Sequence, residues 1–238
     1  MMGWDMRYSG LWPHCIAVLG RAARGLWMPL LGVLFMLASA AAYSNTQSNK
    51  SSNVQGKTST ILVLGDSLSA EYGLQRGTGW VALLEQKLQA EKISATVVNA
   101  SISGETTAGG ASRLVALLSR HQPTQVIIEL GGNDALRGLS LTASQDNLSK
   151  MVQAAKGSGA KVLLLGMQVP SNYGKDYSAQ FARMYTQVSR QEKTGLVPFF
   201  LKGVADNIEL FQPDRIHPNA QAQPHMLGNV WPELRKIL

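Results

Sequence analysis

The chain has 238 residues, 45% of them hydrophobic, enough to bury one sizeable core in one domain or at most two. Its formal net charge is +7, but lysine and arginine are scattered rather than clustered; this argues against nucleic acid as the main partner and leaves only mild, transient attraction to anionic lipid surfaces. The single cysteine, Cys15, excludes an intramolecular disulfide and a cysteine-based metal site.

In chain order, Arg21 and Arg24 precede an apolar run from Leu26 to Leu37, which leads into Ala38-Ser39-Ala40-Ala41-Ala42. Positive charge, apolar core and small-residue cleavage site, in that order, predict a secretory signal peptide over residues 1–42, cut after Ala40 or Ala42. An uncleaved membrane anchor is the alternative, and the run is short for a span of about 20 residues. Removal of 1–42 takes three arginines and one aspartate with it, lowering the net charge from +7 to +5, and it removes Cys15. Residues 43–58, rich in Ser, Asn, Gln and Lys, read as a disordered linker, and residues 59–238 as the folded domain.

From Ser59 onward short apolar runs alternate with segments of helical period, without an internal repeat. The predicted strands are Ile61–Leu64, Ala95–Asn99, Val126–Leu130, Val162–Leu165 and Leu196–Phe200, mostly continuous Val/Ile/Leu runs of the kind buried on both faces. Four amphipathic faces lie among them: Trp80, Val81, Leu84 and Leu88; Leu148, Met151, Val152 and Ala155; Tyr177, Phe181, Met184, Tyr185 and Val188; Leu227, Val230, Trp231, Leu234 and Leu238. These stripes read as core. Repeated βα units predict an α/β fold, a parallel sheet with helices on both sides, and a ligand site beyond the carboxyl ends of the strands.

Those ends carry chemistry. The first strand runs into Gly65-Asp66-Ser67, the second into Asn99-Ala100-Ser101-Ile102-Ser103-Gly104, and the third into Gly131-Gly132-Asn133-Asp134. Ser67, at a strand-to-helix turn, can expose its hydroxyl, and its own N–H, that of Gly104 and the Asn133 amide together make an oxyanion hole. Singly, each has a plain structural reading, as helix cap, turn glycine or Asx turn. Asp214 and His217 change that balance. A serine nucleophile needs a base, the base needs a carboxylate to hold its tautomer, and a spacing of three puts both on the same side of one helical turn. His121, before Gln122-Pro123 at a predicted helix end, and His225, after Pro224 near a helix start, read as structural. No His/Asp/Glu cluster has metal-ligand spacing and no phosphate loop appears, so neither metal nor cofactor is expected. Gly65-x-Ser67-x-Ser69 lacks the last glycine of the nucleophile elbow, which counts against an α/β-hydrolase.

Five blocks, Gly65-Asp66-Ser67-Leu68-Ser69, Asn99 to Thr106, Glu129 to Gly138, Pro170-Ser171-Asn172-Tyr173-Gly174 and Asp214 to Asn219, resemble the SGNH, or GDSL, hydrolases, in particular their bacterial periplasmic thioesterase, protease and lysophospholipase branch. The resemblance covers Thr60 to the C-terminus. It implies a three-layer α/β/α, flavodoxin-like fold on a mostly parallel five-stranded sheet. It also implies Ser67 as nucleophile, His217 as base, Asp214 as its orienter, and Ser67, Gly104 and Asn133 around the oxyanion. The family's frequent Asp-Gly-Ile-His reads Asp-Arg215-Ile-His here, which bears on acyl-group or headgroup preference. The expectation is a monomeric, periplasmic serine hydrolase of small acyl esters, thioesters or lysophospholipids, with Met167, Gln168, Pro170, Asn172 and Tyr173 along the acyl chain. A carbohydrate O-acetylesterase and a non-catalytic lipid-binding module are the rival readings. Hydrolysis of an acetylated glycan identifies the first, and binding that survives His217→Ala without turnover identifies the second.

Overall fold

Five strands, β1 (Ser59–Gly65), β2 (Ala95–Asn99), β3 (Gln125–Glu129), β4 (Lys161–Leu165) and β5 (Gly195–Val197), form one sheet in the order β2-β1-β3-β4-β5, every neighbouring pair parallel. They belong to a computed structural model that describes residues 58–169 and 171–238. The signal-peptide expectation for 1–42, and all but the last residue of the predicted linker 43–58, lie outside the described residues.

The central strands are apolar because both their faces are covered. Ile61 to Leu64 and Val126 to Ile128 are buried, whereas β2, at the sheet's edge, has no fully buried residue. Burying one such aliphatic side chain stabilises the fold by about 1.5–3 kcal/mol. The helices are α1 (Trp80–Ala90), α2 (Thr107–His121), α3 (Gly132–Leu136), α4 (Leu141–Gly157), α5 (Lys175–Glu192) and α6 (Gln223–Arg235). Helix α1 packs beside α6, while α4 packs between α2 and α5, giving a layer on each side of the sheet. The predicted faces of α1 and α4 are wholly buried, and on α5 only Tyr177 is partly exposed. On α6, Trp231 is half-buried against the core with the Lys87 ammonium 4.8 Å from its ring centre, and Leu238, past the helix end, packs against the same core. His121 closes α2 and His225 stands in the first turn of α6, as expected.

One strand is shorter than predicted. β5 stops at Val197 because Pro198 has no N–H to continue the ladder, and Phe199 and Phe200 turn away from the strand. Phe200 instead donates its N–H to the Gly166 carbonyl at 2.8 Å. From β1 the chain crosses outward to β2, and from β3 it crosses the other way to β4, so the crevice of this doubly wound sheet opens at the carboxyl ends of β1 and β3.

Candidate active site

Register brings the tips together: Gly65 of β1 pairs with Glu129 of β3, and beyond β2 the Ile102 N–H reaches back to the Gly65 carbonyl at 3.0 Å. Ser67 follows β1 on a run of turns over residues 67–73. The helix expected immediately after it begins only at Trp80. Asp66 shapes this bend: its Oδ1 accepts the Leu68 N–H at 3.0 Å, an Asx turn that leaves the Ser67 hydroxyl on the crevice side.

Ser67 Oγ lies 2.9 Å from His217 Nε2, and His217 Nδ1 lies 2.6 Å from Asp214 Oδ2. The spacing of three does its work without the predicted helical turn. Asp214 Oδ1 accepts the N–H groups of Ile216 at 2.9 Å and His217 at 3.0 Å, and Arg215 between them takes a left-handed conformation, φ +59°. An Asx turn thus bends the chain so that one carboxylate oxygen holds the backbone and the other holds the imidazole. These backbone N–H groups, His217's foremost, and then the imidazole hold the Asp214 carboxyl down at about 2. The loop's base is closed by the Gln212 N–H to the His217 carbonyl at 2.8 Å and by a bridge between Phe211 and Pro218. Tyr72 lies against the imidazole, ring centres 4.4 Å apart.

Among the described residues, the backbone N–H groups of Ser67 and Gly104 have no protein acceptor. Gly104 has φ +78°, a conformation that favours glycine, and its carbonyl is held by Arg137 Nη2 at 2.9 Å. Asn133, on α3, sends Nδ2 to Asp66 Oδ2 and to the Glu105 carbonyl, both at 3.0 Å. Its neighbour Asp134 is occupied elsewhere, accepting from Thr107 N and Thr107 Oγ1 at the start of α2 and from Ser144 Oγ on α4.

A cleft of about 410 Å³ opens beside Ser67, His217 and Asn133. Met167 and Gln168 line it, as the sequence suggests, together with Val169. Asn172 and Tyr173 are exposed on a short 3-10 turn, Ser171–Tyr173, and are not among its walls, nor is Gly104; Pro170 lies outside the described residues. Much of the lining comes from residues to which sequence reasoning assigned no site role: Phe199, at the end of the predicted fifth strand, and Leu201, Ala205, Ile208 and Phe211 in the segment beyond it. From Leu201 to Phe211 that segment has neither strand nor helix periodicity, so no pattern marks it. Tyr72 and Glu129 were also missed as site residues. Glu129 had a signal: an acid ending the otherwise apolar run Val126-Ile127-Ile128 on a buried strand.

Residues 63–223 match the GDSL-like Lipase/Acylhydrolase family. Esterase TesA of Pseudomonas aeruginosa is 54% identical over 184 residues, which is 77% of this chain and 92% of that protein. Thioesterase 1/protease 1/lysophospholipase L1 of Escherichia coli K12 is 43% identical over 179 residues, 75% of this chain and 85% of its own length. In three dimensions the crystal structure of TesA superposes with a TM-score of 0.74 at 55% identity, covering 75% of this chain and 99% of that one. With these relatives and with the sheet order and crevice described above, the chain belongs to the GDSL-like lipase/acylhydrolase family of enzymes, the SGNH hydrolases.

Proposed function

We propose that this protein is a serine hydrolase that cleaves acyl esters and thioesters, lysophospholipids among them, through an acyl-Ser67 intermediate. The observation that carries the reading is the continuous relay of 2.9 Å from Ser67 Oγ to His217 Nε2 and 2.6 Å from His217 Nδ1 to Asp214 Oδ2. His217 takes the hydroxyl proton as Oγ attacks the carbonyl carbon, and Asp214 holds the Nδ1–H tautomer and faces the imidazolium that forms. The oxyanion is received by the N–H groups of Ser67 and Gly104 and by Asn133. Asn133's bond to Asp66 anchors its amide, and its bond to the Glu105 carbonyl is the one exchanged for the oxyanion. His217 returns its proton to the leaving alcohol or thiol. Water, activated by the same imidazole, then releases the acid and restores Ser67.

The mainly apolar cleft beside Ser67 supports a fatty acyl chain over a sugar as the group held there. The segment 1–42 supports export, which would set a monomeric enzyme among periplasmic lysophospholipids rather than cytosolic acyl-CoA. Ser67→Ala is expected to lose both hydrolysis of a short p-nitrophenyl ester and the covalent mass shift left by an alkylphosphonate. Wild-type turnover by that variant overturns the reading.

A further inference from the structure

Beneath Ser67 lies a carboxyl group with no part in the relay above. Glu129, at the end of β3, is fully buried, and its Oε2 accepts the Asp66 N–H at 3.2 Å and the Ser69 hydroxyl at 2.8 Å. The Trp80 indole N–H in turn donates to Ser69 Oγ at 3.2 Å. Room for this cluster is made by Gly65, where a Cβ would come within 2.8 Å of both Glu129 Oε2 and Ser69 Oγ. No protein donor reaches Glu129 Oε1 among the described residues, and the Asp66 N–H on Glu129 Oε2 makes the two buried carboxyl groups neighbours.

Two buried carboxyl groups in contact share a proton, because two adjacent anions out of water repel and go unsolvated. Its holder can be read from the donors. Asp66 accepts from Leu68 N and Asn133 Nδ2, as an anion does, whereas Glu129 Oε1 faces no donor, as a hydroxyl oxygen would. The other polar groups turned toward the pair are His217, whose charge favours the Asp66 anion, and the Tyr185 hydroxyl on α5, which donates to the Leu130 carbonyl at 3.0 Å. Burial pushes Asp66 up to about 6 and Glu129 well above the ordinary carboxyl range.

We propose that Glu129 is a positioning residue, a neutral carboxylic acid that donates from Oε1 to Asp66 and fixes the carboxylate that aims the Asn133 amide at the oxyanion. This rests on Asn133's place in the reaction proposed above. Asp66 has one oxygen for Leu68 and one for Asn133; the donor beneath stops it from rotating, so the second Asn133 N–H is presented in a single direction.

The test compares Glu129→Gln, which keeps an N–H donor in the same shape, with Glu129→Met, which keeps volume but no donor. The Gln variant is expected to turn over a short ester close to the wild-type kcat. The Met variant is expected to lose about 10²–10³ in kcat with KM little changed, the loss typical of one oxyanion donor. In an Asn133→Ala background that loss should vanish, since the residue through which Glu129 acts is gone. Infrared difference spectra at neutral pH should show a protonated-carboxyl C=O band in the wild type that is absent from Glu129→Gln. Two results overturn the proposal: no such band in the wild type, or a Met effect that multiplies fully with Asn133→Ala. If Glu129→Met does not fold, the band alone decides. Ser67→Ala activity, by contrast, tests the hydrolase reading and leaves the band untouched.

Discussion

Arg215 stands between Asp214 and His217 at φ +59°, where a side chain other than glycine costs about 1–2 kcal/mol. Arg215→Gly relieves that strain but adds freedom to the unfolded chain, so the expected net gain is about 0.5–1 kcal/mol, or roughly 1–4 °C in melting temperature. Calorimetry checks it, and an unchanged or lower melting temperature counts against the strain. Asp214 has the opposite sensitivity. Its two oxygens have separate duties, one on two backbone N–H groups and one on the imidazole. Asp214→Asn offers an NH₂ group to one of these partners. Either the turn loses its acceptor or the imidazole is held in the wrong tautomer, and kcat should fall by about 10⁴, the loss known for that change in a serine protease triad. A loss of less than tenfold in kcat would mean that the carboxylate does not orient the base.

Two elements supply most of the cleft's apolar wall, the loop after β4 and the irregular segment after β5, and their side chains set what it can hold. Each methylene of substrate buried there contributes about 0.8 kcal/mol, or about fourfold in kcat/KM, until the space is filled. Ala205 is an exposed, small member of the wall. Ala205→Phe should therefore leave acetate ester hydrolysis intact and end the rise in kcat/KM at a shorter acyl chain. A p-nitrophenyl ester series of graded length measures this, and parallel curves for the two proteins would show that the chain does not lie along Ala205. These elements also mark how far the sequence could be read. The strands and helix faces were legible because burial on both faces makes continuous Val/Ile/Leu runs and burial on one face makes a period of 3.6. Ser67, Asp214 and His217 were legible because acyl transfer needs those groups at strand tips and loops. The cleft wall was not, since Leu201, Ala205 and Ile208 meet the site only through an aperiodic path, and β5's early end turned on Pro198. Nor was the turn at Asp214, where spacing alone cannot tell an Asx turn from a helical one. The state of Glu129 depends on contacts with Asp66, 63 residues earlier in the chain.

For the whole molecule, the perturbed carboxyl groups make stability depend on pH with a sign that can be worked out. Glu129 and Asp66 are raised by burial, so across the range from their unfolded values near 4.5 and 3.8 up to their folded ones, the native protein binds more protons than the unfolded chain. Their contribution is fully present below those unfolded values and is lost as pH rises, through about 6 for Asp66 and well above the ordinary carboxyl range for Glu129. Asp214, lowered to about 2, acts oppositely: its contribution is present above 3.8 and is lost as pH falls through 2. Stability should then peak in mildly acid solution and decline toward alkaline pH. Glu129→Gln removes a carboxyl group that burial raises while keeping its hydrogen-bonding shape. Its melting temperature should therefore fall less than that of the wild type between pH 5 and pH 8, and equal slopes would mean that Glu129 carries no extra proton in the native state.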